Sequence, residues 1–307
     1  MVLKCCINNG RFVDTGFFTY VYDRLSYGIG GSFILYKELM KMDLHDYKDV
    51  AENYDRYLEV MYQTENNYDG FIQFYTELAK RYGAGGIIDI ACGTGAVALG
   101  LAEQGIIADA SDLSEEMCNV ARKKAQDKGY KLRIFRGDMT TFDAGRTYSL
   151  AIIARSGFMH LPTPEIQRAA LLNIRSRLCD GGILTLNTFD PLPSFQAEQM
   201  KNSDEDHEFR LEYINADGNR EKIYTALSYD PVSQILKGNW KFETLDEKGN
   251  VIAERIRPLT MRQTYRQEMK WLIELCGFEI EALYSGYKFK PADELTPSDL
   301  VWVLKKV

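Results

Sequence analysis

The stretch that most constrains this chain is Gly85-Gly-Ile-Ile-Asp-Ile-Ala-Cys-Gly-Thr-Gly95, followed directly by Ala-Val-Ala-Leu-Gly-Leu-Ala-Glu-Gln-Gly105. Residues 87–91 form a short apolar run between glycines, the pattern of a strand buried in a parallel sheet. Gly93 and Gly95 let the backbone turn sharply and approach a ligand closely, since neither carries a Cβ. Residues 96–102 have helical composition, and Gly105 supplies the stop. Strand, glycine turn and helix together put backbone N–H groups at the carboxyl edge of a sheet, where open α/β folds bind nucleotides. On spacing alone two cofactors fit, because Gly93-Thr-Gly95-Ala-Val-Ala98 also matches the Gly-x-Gly-x-x-Ala dinucleotide fingerprint.

Asp89 separates them. A carboxylate so near the turn would repel a pyrophosphate but tolerate a sulfonium or an amino group. The string Asp89-Ile-Ala91-Cys92-Gly93-Thr-Gly95 resembles the first motif of the class I S-adenosylmethionine (SAM) dependent methyltransferases. An NAD-dependent oxidoreductase is the competing enzyme reading, and a SAM-binding subunit without chemistry is the reading from another class.

Composition narrows the partners. A chain of 307 residues, 45% of them hydrophobic, buries a full core and suits one large domain or one domain with an insertion. Its net charge of −7 argues against a phosphate-tracking surface, so no nucleic-acid partner is expected. No apolar run reaches the length of a signal-peptide core or a membrane span, so no membrane partner is expected. Cys5, Cys6, Cys92, Cys118, Cys179 and Cys276 mostly fall inside apolar patterns rather than at metal-ligand spacings. They read as reduced thiols of a cytoplasmic protein without a metal site.

Along the chain, residues 1–45 form an aromatic and glycine-broken arm, expected to serve as a lid or an interface. The helix containing Val50-Ala-Glu-Asn-Tyr54-Asp-Arg-Tyr57 comes next, and residues 68–82 form a second. After the glycine turn, residues 106–112 are a strand ending in Asp112-Leu113-Ser114-Glu-Glu-Met117, where Ser114 is a plausible N-cap with Glu115 and Glu116 in the first turn. An acidic residue about twenty positions past the turn can accept hydrogen bonds from both ribose hydroxyls. Asp109 competes with Asp112 for that role but is expected mid-strand. Residues 130–135 are a third strand closed by Gly137-Asp138-Met139, and residues 148–154 a fourth, followed by Arg155-Ser-Gly-Phe-Met-His160.

Residues 168–178 are helical, a Gly181-Gly182 turn follows, and residues 183–189 are the fifth strand. Residues 194–258 then change rhythm: four period-two runs separated by Asp217-Gly218, Asp230-Pro231 and Lys248-Gly-Asn250 read as an antiparallel meander. Arg255 and Arg257 within it either reach an anionic substrate or, as the default, form a solvated strand face. A helix over 264–276 and strands at 278–284 and 300–304 close the chain.

In the methyltransferase family, Asp-Leu-Ser-x-x-Met is similar to the second motif and Gly-Asp-Met to the adenine clamp. The resemblance implies a doubly wound, mostly parallel seven-stranded α/β sheet with a β insertion over the active site. The core would be 46–193 and 259–307. It further implies SAM as cofactor, held by Asp89, Ala91, Cys92, Gly93, Gly95, Asp112, Leu113, Met117, Gly137, Asp138, Met139 and Arg155. Arg155 departs from the small residue expected there; it either binds a carboxylate or pairs with Asp89 or Asp138. Catalytic candidates are His160, which either handles a proton or caps the next helix, and Tyr54, which either closes over the cofactor or packs in the core. The partner is a small-molecule acceptor of methyl on nitrogen or oxygen. The meander is reminiscent of enzymes acting on amino sugars and simple amino acids, which favours an amine.

Overall fold

The computed structural model describes residues 50–65, 70–190, 192–203, 205–293 and 299–307; the arm expected over 1–45 lies outside them. Two helices lead in, α1 (Tyr54–Glu65) and α2 (Phe71–Tyr82). The alternating core follows: β1 (Ile87–Ile90), α3 (Ala96–Glu103), β2 (Asp109–Asp112), α4 (Glu115–Asp127), β3 (Ile134–Arg136), β4 (Tyr148–Ile153), α5 (Pro164–Arg177) and β5 (Leu178–Phe189). After α6 (Pro193–Gln199) come β6 (Glu208–Ile214), β7 (Arg220–Asp230), β8 (Ile235–Leu245) and β9 (Val251–Arg262). The chain then returns through α7 (Arg266–Leu275), β10 (Phe278–Ser285) and β11 (Asp299–Lys306).

The core is a seven-stranded sheet in the order β10-β11-β5-β4-β1-β2-β3. β1 to β5 pair in parallel and β11 runs antiparallel between β5 and β10. Every residue of β1 is buried, as its unbroken apolar run requires of a strand covered on both faces. The strand order reverses between β1 and β4, so the loops after these two strands flank the switch point where such sheets leave a crevice.

The insertion is a four-stranded antiparallel meander, β6-β7-β8-β9. Its inner face packs on α1. Tyr57 is buried among the rings of Tyr213, Trp240 and Phe242, with centroids 5.8–6.0 Å away. β9 runs on to Arg262, past the expected end of the insertion.

Several local expectations need correction. β2 begins at Asp109 rather than 106, which puts Asp109 at the start of the strand and not in its middle. There it accepts a hydrogen bond from the Tyr148 hydroxyl at 2.8 Å, far from the carboxyl edge. β3 covers only Ile134–Arg136. The Gly181-Gly182 turn is absorbed into β5 as a bulge, where the register against β4 slips between Tyr148 and Leu150. α6 was not anticipated, although Pro193 at its first position is a recognised start signal.

Candidate functional site

Three loops meet at the carboxyl edge of β1, β2 and β3, and backbone hydrogen bonds stitch them together. The Cys92 N–H donates to the Ser111 carbonyl at 3.0 Å, and the Gly137 N–H donates to the Asp112 carbonyl at 2.8 Å. The Asp112 carboxylate accepts from the Gly93 N–H at 2.8 Å and from the Ser114 N–H at 2.9 Å. Burial raises its pKa, opposed by these N–H donors. Each carboxylate oxygen keeps a second lone pair for a ligand.

The two glycines of the turn serve different ends. Both have positive φ, 56° at Gly93 and 84° at Gly95. A Cβ on Gly95 would stand 3.1 Å from that of Ala121, so Gly95 lets α3 pack on α4. Among the described residues, a Cβ on Gly93 would meet nothing within 4 Å. Gly93 therefore faces space that the described residues leave open, a cradle in which a ligand can lie against the backbone.

Asp89 sits beneath this cradle, 1% exposed. One carboxylate oxygen accepts from the Ala98 N–H at 3.1 Å, and the other has no hydrogen-bond partner among the described residues. Burial pushes its pKa up to about 7; the Ala98 N–H lowers it, the charge of Asp112 raises it, and the charge of Arg155 lowers it. A buried carboxylate with an unused oxygen fits the positively charged end of a ligand.

Arg155 and Ser156 follow β4, both with positive φ, 50° and 59°. Two adjacent non-glycine residues in that region are strained, and something must hold them. Asn187 of β5 does so: its Oδ1 accepts from the Ser156 N–H at 2.8 Å and its Nδ2 donates to the Ser156 hydroxyl at 3.2 Å. Arg155 stacks its guanidinium 5.0 Å from the centre of the Phe71 ring. Its charge acts on Asp89, one of its two expected partners. A Cβ on Gly157 would come within 3.1 Å of that of Ala91, so this loop abuts the glycine turn directly.

Among the other candidates, Met117 is buried and Leu113 half-buried at the start of α4, which Ser114 caps by accepting from the Met117 N–H at 3.2 Å. Cys92 is buried, and burial holds its thiol well above the ordinary range. Asp138 accepts from both the backbone N–H and the hydroxyl of Thr140, at 2.8 and 2.7 Å, which fixes the turn holding Met139. His160 ends a short 3-10 helix, Gly157–His160, and is half-buried. It does not cap α5: Thr163 does, accepting from the Ile166 N–H at 3.3 Å. Tyr54 packs edge-on against Tyr57, on the insertion side of α1.

Sequence reasoning missed Asn187, Phe71 and the partners of Asp55. Asn187 had a signal, an amide in an otherwise apolar buried strand. Arg255 corrects an expectation, since it is not on a solvated face. Its guanidinium grips the fully buried Glu221 with bonds of 2.7 and 2.9 Å.

A cradle flanked by the buried Asp89 and the half-buried Asp112, beside the switch point of the sheet, stands where open α/β folds bind nucleoside-containing cofactors. Residues 87–182 match the model of a methyltransferase domain. A protein of Geobacillus sp. (strain WCH70), provisionally named a methyltransferase, is 28% identical over 141 residues, 45% of this chain and 55% of that one. The glycine/sarcosine N-methyltransferase of Parasynechococcus marenigrum (strain WH8102) is 28% identical over 142 residues, 46% of this chain and 49% of that one. The chain spans about half the length of the curated relatives it matches. A SAM-dependent methyltransferase structure from Clostridium acetobutylicum ATCC 824 superposes with a TM-score of 0.67 at 15% identity, covering 82% of this chain and 98% of the other. Residues 87–182 are thus similar to a methyltransferase domain, and the fold is that of SAM-dependent methyltransferase structures. Among the described residues no helix is long and apolar enough to cross a membrane, and no three ligating side chains cluster for a metal.

Proposed function

We propose that this chain transfers a methyl group from SAM to the nitrogen of a small-molecule amine. The observation that carries the reading is the Gly93 cradle, open to a ligand and flanked by Asp89 and Asp112. Asp112 would hold the ribose hydroxyls, and Asp138 with the Met139 N–H the adenine edge, with Gly137, Leu113 and Met117 packed around it. Ala91, Cys92, Gly93 and Gly95 shape the backbone against the cofactor. Asp89 would face the cationic methionine end and Arg155 its carboxylate.

The bound cofactor supplies an electrophilic methyl on a sulfonium. The chain's own task is to hold the acceptor nitrogen about 3 Å from that carbon, in line with the departing sulfur. An acceptor held so would have its nitrogen lone pair aimed at the methyl carbon, the N–C bond forming as the S–C bond gave its electrons to the departing sulfur. The ammonium product then loses a proton, and His160 is the side chain on the β4 loop suited to accept it. Tyr54, at the head of α1, would help close the pocket on the acceptor side. An amine that binds neutral needs no strong base, and none but His160 stands in this loop. The likeness to the glycine/sarcosine N-methyltransferase supports nitrogen as the acceptor.

The test is calorimetric titration with S-adenosylhomocysteine, with NADH as control, followed by labelled SAM with a panel of amines and alcohols. Micromolar binding of the first ligand alone and label on an amine support the reading. Label on alcohols only would overturn the nitrogen preference. Binding without any transfer would favour a SAM-binding subunit.

A further inference from the structure

Helix α1 is tied at one end to the cofactor turn and along its side to the insertion sheet. Asp55, in its first turn, makes the first tie. One carboxylate oxygen accepts from the Thr94 hydroxyl at 2.6 Å, and the other from the Lys124 ammonium at 2.6 Å. Lys124, on α4, also donates to the Thr94 carbonyl at 2.9 Å. Thr94 is 1% exposed and stands between the two left-handed glycines. Its side chain and its carbonyl are thus both fixed by residues 39 and 30 positions away. The second tie is Tyr57 among its three aromatic neighbours on β6 and β8, reinforced where the Ala216 N–H donates to Asn53 Oδ1 at 2.8 Å.

We propose that Asp55 is a positioning residue for the cofactor turn. Through Thr94 and Lys124 it latches α1 onto residues 93–95, so that cofactor binding and the seating of the insertion sheet share one energy. This rests on reading the Gly93 turn as the cofactor site. The physical case is a contrast of costs. The ion pair is partly exposed, with side chains 31% and 45% accessible, so its direct contribution to stability is small. Its effect on geometry is large, because Gly93 and Gly95 give the turn no stiffness of their own. A glycine turn left free must be ordered when ligand binds, and that ordering weakens affinity.

The experiment is titration of S-adenosylhomocysteine into wild type, Asp55→Asn, Lys124→Met and the double variant, with ligand-free thermal melts alongside. Each single variant should bind about tenfold more weakly while its ligand-free melting point stays close to wild type. The double variant should lose little more than either single one, since both break the same latch. Wild-type affinity should fall with added salt, and that of Asp55→Asn should not. Should Asp55→Asn fail to fold, Lys124→Met carries the same test with the carboxylate intact. Tight wild-type binding with unchanged affinity in the single variants, or strictly additive losses in the double, overturns the latch and leaves the cofactor site standing. A wild type that takes no S-adenosylhomocysteine overturns the reading of the turn itself.

Discussion

Two buried carboxylates, in two sheets, are handled in opposite ways. Glu221, in the insertion, is gripped by both terminal nitrogens of Arg255 and accepts further bonds from the hydroxyls of Tyr213 and Thr244. Burial would raise its pKa, yet these partners outweigh burial and hold it below the ordinary carboxylate value. Asp89, in the core sheet, has one backbone N–H and an unused oxygen, and burial carries it up to about 7. The first arrangement is closed and needs nothing more. The second is incomplete among the described residues, where nothing hydrogen-bonds to its other oxygen. A buried charge with all its partners asks nothing further of the fold, and one without them is a candidate for where a ligand goes.

The largest expected effect tests the open side. Asp112→Ala should lose two charge-assisted ribose bonds, each worth about 1.5–3 kcal/mol. S-adenosylhomocysteine titration measures it, and wild-type affinity in the variant would remove Asp112 from the site. Next comes the closed side. Glu221→Ala strands Arg255 and should cost about 3–5 kcal/mol of stability in denaturant melts. Replacing both partners together, Glu221→Leu with Arg255→Met, should recover most of that loss. If the double variant is as unstable as the single one, the network is more than a self-contained pair.

A subtler test uses pH. Asp89 binds its proton more tightly folded than unfolded, where its value is near 3.8. Its contribution to ligand-free stability should therefore be fully present below that value and be lost as pH rises towards about 7. Affinity for the cofactor should move the other way, rising as the carboxyl ionises to meet the cationic end. Asp89→Asn should flatten both profiles. A variant that keeps the wild-type slope would show that another group titrates there. The smallest effect concerns His160. His160→Ala should lower kcat by about a hundredfold, the low end for a general base, with cofactor affinity unchanged. Unaltered turnover would leave His160 a packing residue.

Much of the architecture was legible in the chain because its signals are local. The all-buried β1, the Ser114 cap and the four insertion strands each announce themselves within a dozen residues, by apolar period or turn chemistry. That Asp112 stands beside Gly93 was legible too, since their separation along the chain is fixed by one strand–helix–strand unit. What remained hidden depends on residues far apart in sequence. Asn187 holds Ser156 from 31 positions away, Arg255 meets Glu221 across 34, and Lys124 reaches Asp55 across 69. No periodicity records such pairs, and Arg255 on β9 looks like part of a solvated face until Glu221 on β7, two strands away, is in place.

The sequence by itself determined the α/β alternation, the glycine turn and the acidic residues in or just after each of the first three strands, because backbone geometry and burial write those into short segments. Only the tertiary structure decided which carboxylates are neutralised and which are left waiting. That depends on which side chains packing brings within hydrogen-bond reach, and on how completely the same packing excludes water.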